Sequence, residues 1–408
     1  MVNRRDFLGA VLSAQAFRGG AESLPLVRAI THGPKFHWFG YYDKLEFDPA
    51  SRYVLGMEVG FENRTPQPED VIRVGMVDLA RDNRWIELGE SRAWCWQQGC
   101  MLQWLPGSAS EVIWNDREGD HFVSHILDVK TGKRRTLPAP VYALSPDGNW
   151  SLAPDFRRLH DTRPGYGYAG VPDPNAAVRM PRDAGIWRMN LKTGAHSLIL
   201  PLAEMGRYPY TRGDWKDAKH WFNHLLFSPD GARFSFLHRW STPGTSFTTR
   251  MFTGKPDGSD LYVLDPNGRT SHYIWRDPRH ILAWAYHPSH GERFYLFEDR
   301  TERVEVVAPE VMPVNGHCTY LPGNRWILND TYPDKQGEQH PYLYRVATGR
   351  RYALGHFRVP VTQYRGEWRC DTHPRFSPDG KKVVIDSVHG GEGRQLYLID
   401  ISGIVTQG

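Results

Sequence analysis

Four segments in the second half of the chain carry histidine just before or at the start of a repeated unit. They are His220-Trp221-Phe222-Asn223-His224, Ser271-His272-Tyr273-Ile274-Trp275, Asn315-Gly316-His317-Cys318 and Arg369-Cys370-Asp371-Thr372-His373-Pro374-Arg375. An imidazole changes charge near neutral pH, so it can take up or release a proton there, and many can bind metal when neutral. One histidine in such a place is ordinarily a hydrogen-bonded structural residue. Four in succession, each just before or at the start of a repeated unit, are harder to explain that way, because equivalent positions of a ring of repeats line one shared surface. Other chemistries have no foothold in the sequence: there is no G-x-S-x-G elbow, H-E-x-x-H, phosphate-binding loop or dinucleotide-binding glycine pattern. Asp43, Glu46, Asp116 and Asp155 are available as carboxylates for a hydrolase, which needs two of them across the scissile bond.

The units that must position these side chains are visible as a repeat. Phe47-Asp48-Pro49-Ala50-Ser51-Arg52-Tyr53-Val54-Leu55 is an apolar entry, a polar turn containing proline and an apolar exit. The pattern returns at Leu102-Gln103-Trp104-Leu105-Pro106-Gly107, Leu144-Ser145-Pro146-Asp147-Gly148, Phe227-Ser228-Pro229-Asp230-Gly231 and Phe376-Ser377-Pro378-Asp379-Gly380. Degenerate copies stand at Trp284-Ala285-Tyr286-His287-Pro288 and Thr319-Tyr320-Leu321-Pro322-Gly323, which makes seven. Proline presets the first turn residue and Asp-Gly completes a tight turn, so each copy reads as a hairpin. A second hairpin follows several copies, at Ile126–Gly132, Met189–Gly194, Val263–Gly268 and Tyr344–Gly349. Two hairpins make four strands, which is one propeller blade, and the sequence therefore predicts an all-β, seven-bladed β-propeller. The third unit is stretched by Arg157-Arg158-Leu159-His160 and Arg163-Pro164-Gly165-Tyr166-Gly167-Tyr168, an insertion expected to lie over the propeller mouth.

Aromatic residues make up 13% of the 408 residues, in keeping with strands rather than long helices. The formal charge is +4, and the basic residues do not interleave with aromatics along one segment, which argues against a nucleic-acid partner. Asn3-Arg4-Arg5-Asp6-Phe7-Leu8-Gly9 followed by a short apolar stretch resembles a twin-arginine export signal, so residues 1–24 are expected to be a signal and 25–408 one propeller domain in the periplasm or outside the cell. The four cysteines are too few for a disulfide scaffold, although Cys95 and Cys100 are near enough in sequence to pair.

From His220 to the C-terminus the order of motifs is His224 before Ser-Pro-Asp-Gly, then Ser-His-Tyr-x-Trp, Gly-His-Cys, and Asp-x-His-Pro-x-Phe-Ser-Pro-Asp-Gly. This order resembles the oligogalacturonate lyases, seven-bladed propellers that cleave uronate glycans by β-elimination. The resemblance covers blades four to seven, while the first half of the chain resembles that family only as a propeller. It implies that His224 stands where the family has its catalytic base, that His272 and His373 fall on metal-ligand positions, and that Asp371 replaces a ligand histidine. The family's glutamine ligand falls near Trp368, a departure that leaves the metal open between zinc and manganese and between a catalytic and a structural role. Cys370 is an alternative thiolate ligand, which would favour zinc. His317 matches a histidine facing the same site. The related ulvan lyases set a tyrosine and an arginine about one hairpin apart; His224 and Arg239 have that relation here, which singles out Arg239 as a carboxylate partner, or else an arginine stacked at a rim.

Carried through, the resemblance implies a lyase acting on an acidic polysaccharide or oligosaccharide. Arg239 and a divalent metal would neutralise the uronate carboxylate, His224 would remove the C5 proton, and Tyr166, Tyr168, Trp96 and His317 would contact sugar. A glycan-binding propeller without turnover and a glycoside hydrolase are the alternatives.

Overall fold

The computed structural model describes residues 24–210 and 215–406. The expected signal at residues 1–24 lies, apart from Leu24, outside them. Seven four-stranded antiparallel sheets form the blades of the predicted propeller. Blade one runs from Phe36–Trp38 to Arg84–Ser91, blade four from Lys219–Phe227 to Tyr262–Asp265, and blade five from Thr270–Asp277 to Val304–Val306. Blade seven is shared between the termini. Its three C-terminal strands, Arg375–Phe376, Lys382–Ser387 and Gln395–Asp400, are completed by Val27–Ala29, with Val27 opposite Ile399. The ring is thereby closed by hydrogen bonds between the two ends of the chain.

The Ser-Pro-Asp-Gly turns show why the repeat takes this form. In blade four Ser228 Oγ donates to Asp230 Oδ1 at 2.6 Å, Asp230 accepts from Ala232 N at 3.1 Å, and Gly231 sits at φ +70°. Gly148, the equivalent residue of blade three, has φ +69°, and an added Cβ would lie 2.4 Å from Pro106 O of the blade before. Glycine is required there both by backbone conformation and by the close approach of neighbouring blades. Apolar residues facing between blades form the core; Phe222, Phe227, Phe234, Phe236 and Phe252 of blade four belong to one cluster with residues of blades two and three.

Two parts of the repeat are phased differently from expectation. Trp284–Pro288 ends the second strand of blade five and enters the turn to its third, while the first turn of that blade is at Asp277-Pro278-Arg279. Val263–Gly268 is not a second hairpin within blade four but leads from its outer strand to the inner strand of blade five. In both places Pro and Gly mark a turn correctly, but turn residues alone do not say which pair of strands they join.

Since neighbouring strands alternate in direction, the second-to-third turns and the blade-to-blade links share one face. The insertion of blade three lies on that face, between Trp150–Pro154 and Gly185–Asn190, as expected. It begins with a short helix, Phe156–Thr162, capped by the Asp155 side chain. Arg158, fully buried, pairs with Asp173 at 3.1 Å and donates to His220 O, which ties the insertion to blade four. A two-stranded ribbon, Glu338–Gln339 with Phe357–Arg358, rises from blade six on the same face. All four cysteines are buried free thiols, so Cys95 and Cys100 do not pair. Among the described residues no helix is long and apolar enough to cross a membrane.

Candidate functional site

Irregular segments at the starts of the inner strands bring the site to the propeller axis. The inner strand of blade one is interrupted between Trp38 and the bridge Phe47↔Val54. Asp386 of blade seven accepts from Phe39 N and Gly40 N at 3.2 Å each, and Gly40 turns at φ +105° with Gln98 close behind it. This excursion delivers Tyr41, Tyr42 and Asp43 to the centre. The Tyr42 hydroxyl donates to Tyr273 O at 2.9 Å and accepts from Tyr273 N at 3.0 Å, bridging blades one and five across the axis. In blade four the pairing slips between Asn223 and Leu226, and His224 sits at φ +49° within that bulge. A bulge re-aims a side chain that a regular strand would place elsewhere.

His224 is held from two sides. Its Nε2 lies 3.2 Å from Asp43 Oδ2, and its ring stacks on Tyr273 at 4.3 Å between centroids. Asp43 in turn pairs with Lys44 at 3.1 Å. With Nε2–H donated to Asp43, Nδ1 carries the free lone pair, and it is buried without a partner. Burial lowers the His224 pKa below the ordinary histidine value against the opposing pull of Asp43, so the ring is neutral at neutral pH. Arg239 projects from the adjacent strand, 4.7 Å from the Phe247 ring centroid, and its Nε is buried without a partner. Burial first and Arg163 second bring its pKa to about 10, which leaves it cationic at neutral pH.

Beside this pair lies a cluster of ligating atoms. One nitrogen each from His317 and His373 and one oxygen of Asp371 lie within 4.8 Å of one another. Asp330 accepts from His317 N at 2.7 Å and sits 3.0 Å from its Nδ1 through both oxygens, and Thr372 Oγ1 donates to Asp330. His317 Nε2 and His373 Nε2 are buried with no partner. A carboxylate behind one ring nitrogen, with the other nitrogen free, is the arrangement that orients metal-binding histidines. The His272 ring is 4.2 Å from that of His317, with Nδ1 turned to Asn315. Burial, with His317 second, pushes His272 and His373 well below the ordinary range, so both are neutral as ligands must be. Two imidazole nitrogens and a carboxylate oxygen fit a divalent metal, manganese or zinc alike.

Tyr41 joins the two halves, its ring 5.0 Å from His224 and 5.4 Å from His373. Tyr166, from the blade-three insertion, accepts from Arg369 at 2.9 Å, and Arg369 also holds Asp371 at 2.7 Å. Burial raises the Tyr166 phenol, but Arg369 and Arg163 more than offset it, so Tyr166 ionises more readily than an ordinary tyrosine.

His224, Arg239, His272, His317, Asp371, His373 and Tyr166 thus meet at the axis, with His317 among the ligating atoms rather than only beside them. Three expected residues stand elsewhere. Cys370 points away from its neighbour Asp371 into a cluster with Val359, Tyr364 and Val388, and burial raises its thiol to about 12, so it offers no thiolate. Trp96 is 1% exposed, packs on Trp38 and Trp94 and donates to Arg64 O, which makes it core rather than a sugar platform. Tyr168 is 0% exposed and stacks on Phe156 at 4.2 Å, its hydroxyl bonded to Asn115. The carboxylates considered for hydrolysis are each engaged by a cation or a potential one: Asp43 by Lys44, Glu46 by Arg375, Asp116 by His125 and Asp155 by Arg157. Tyr41, Asp330 and Arg369 were not singled out from the sequence. Their one signal was a break in the repeat, such as Gly40-Tyr41-Tyr42-Asp43 between two halves of a strand.

No protein-family model and no curated protein matches the sequence. Solved structures do. An oligogalacturonate lyase in complex with manganese is similar over 93% of this chain and 94% of its own, with a TM-score of 0.67 and 16% identity. An oligogalacturonate lyase from Vibrio parahaemolyticus follows, over 93% and 94%, with a TM-score of 0.61 and 12% identity. A puromycin-hydrolysing peptidase from Mycobacterium tuberculosis is similar over 92% of this chain but 55% of its own, with a TM-score of 0.54 and 14% identity. At these identities the likeness is one of fold alone.

Proposed function

We propose that the protein cleaves a uronate-containing polysaccharide or oligosaccharide by β-elimination. One observation carries this reading: a neutral histidine with an unpartnered Nδ1, a buried arginine with no carboxylate paired to it among the described residues, and a set of metal-ligating side chains share one site on the axis. The C5 proton of a uronate is removed only when the adjacent carboxylate is neutralised. Arg239 is a ready partner for that carboxylate, since an anion would satisfy a buried cation that has no carboxylate partner among the described residues. His224 Nδ1 takes the C5 proton, with Asp43 stabilising the imidazolium that forms. The C5 electron pair becomes the C4–C5 double bond as the C4–O bond breaks, and the leaving oxygen gains a proton from Tyr166, whose phenol is acidified by Arg369 and Arg163. A divalent ion held by His317, Asp371 and His373, with His272 adjacent, would supply further charge neutralisation at the carboxylate. Such a role suits export to where acidic glycans are found, the placement read from Arg4-Arg5.

The test is ultraviolet absorbance of a 4,5-unsaturated product when the protein, with added manganese or zinc, is incubated with pectin fragments, ulvan and glucuronate-rich gums. New absorbance with one of them, reduced by chelation, is expected. Tight binding without product would select a glycan-binding propeller, and saturated reducing sugars would select a hydrolase.

A further inference from the structure

The ribbon above blade six presents a second group of ligating side chains, none of them shared with the axial set. Its strands pair Glu338 with Arg358 and Gln339 with Phe357, so the next facing pair in this register is His340 and His356. Successive residues of a strand alternate faces, which puts Glu338 on the same face as His340. The two rings are 4.9 Å apart between centroids, with Nδ1 facing Nδ1 at 2.7 Å, and one carboxylate oxygen of Glu338 lies within 4.8 Å of a ring nitrogen of each. Behind His340, Asp334 accepts from Nε2 at 2.9 Å, and Asp334 is itself fixed by Gln336 N and Glu338 N. This leaves the lone pair of His340 on Nδ1, directed at the group.

We propose that Glu338, His340 and His356 bind a second divalent ion of the zinc class, separate from any ion at the axis. Three features point to a ligand rather than to a casual contact. The donors lie on one face of a paired ribbon, their number and type are the N,N,O set that zinc accepts, and a carboxylate behind one ring selects the tautomer that coordination needs. Without metal, His356 Nδ1–H donates to His340 Nδ1. With metal, the His356 proton moves to Nε2, and the nitrogens part from 2.7 Å to about 3.3 Å, the spacing of two ligands on tetrahedral zinc. Calcium and magnesium, which favour oxygen donors, suit this set poorly. The ion would clip the two ribbon strands together. Since His340 N donates to Thr331 Oγ1 at 3.1 Å, it would also steady the segment carrying Asp330 and Tyr332, whose ring is 5.6 Å from that of His317 at the axial site. His356 is exposed and His340 half-buried, so the donors can be reached from solvent.

The experiment is histidine modification by diethylpyrocarbonate on the whole chain, read peptide by peptide by mass spectrometry, with and without zinc. Zinc at about ten times its Kd should slow modification of His340 and His356 about tenfold, and calcium at the same concentration should not. The same protection is expected in His373→Ala, which disables the axial set, so the result does not depend on that site holding metal. In that background, equilibrium dialysis should find one bound zinc, lost in His373→Ala/His356→Ala. Unchanged modification rates for both peptides in wild-type protein, or zinc retained in the double variant, would overturn the proposal.

Discussion

Asp43 and His224 are 181 positions apart in sequence, yet their contact decides which imidazole nitrogen is free. If Asp43 only filled space, Asp43→Asn would be close to neutral, since the side chains are nearly isosteric. If it fixes the tautomer and supports the imidazolium, the amide is a poor substitute, because it lacks the charge and can turn its NH₂ toward Nε2. On whichever glycan supports turnover, His224→Ala is expected to abolish product formation. Asp43→Asn should lower kcat on the order of a hundredfold while changing KM little. The pH profile separates the two accounts. Asp43 raises the His224 pKa against burial, so its removal lowers it further, and the base then loses its proton at lower pH. The acid limb of kcat should therefore move to lower pH in Asp43→Asn, and a limb that stays in place would refute the role given to Asp43.

The excursion that carries Tyr41 and Asp43 is anchored by a buried ionic cluster between blades seven and one. Arg375, on the inner strand of blade seven, donates to Glu46 at 3.1 Å through both Nε and NH2 and to Asp386 at 2.8 Å, and Asp386 caps Phe39 N and Gly40 N. Burial raises Glu46 to about 7 even with Arg375 beside it. Arg375→Met would fit the space but leave two carboxylates without their cation, a change that costs about 3–5 kcal/mol in buried pairs. Loss of the cation pushes Glu46 higher still. A carboxyl whose folded pKa exceeds its unfolded one weakens the fold as pH rises above the unfolded value, so the loss should be greater at pH 8 than at pH 5. Urea unfolding of both proteins at the two pH values measures this. A pH-independent difference would mean that packing, not charge, is what Arg375 contributes.

The ring was legible because Ser-Pro-Asp-Gly at Ser228 and Ser377 marks a turn whose geometry needs those residues, whereas the site was legible only where it coincided with the repeat. His224, His272 and His373 stand next to such turns or strand starts. Tyr41, Asp330 and Arg369 come from links without a pattern, and Trp96 and Tyr168 resemble sugar platforms in composition while their rings fill inter-blade space. The same principle, that environment decides what a residue type does, governs the response of the ring to acid. His220 and His238 face each other at 2.8 Å inside blade four, and neither belongs to the axial cluster. Burial holds His220 at about 4 and His238 well below the ordinary value of 6.5. From pH 6.5 downward the unfolded chain binds protons at these positions and the folded chain does not, so stability falls as pH falls toward 4. Glu46 opposes this, because from 7 downward the folded state takes up a proton before the unfolded one. Its displacement, from 4.5 to about 7, matches that of His220, from 6.5 to about 4, in size, so those two offset one another. Asp265, also raised by burial, adds to the Glu46 side, while His224, His272 and His373, lowered by burial like His238, add to the histidine side. The balance falls to acid destabilisation. The melting temperature should drop by a few degrees between pH 7 and pH 5, and His238→Gln should flatten that dependence; a chain more stable at pH 5 than at pH 7 would mean that the buried acids outweigh the buried histidines.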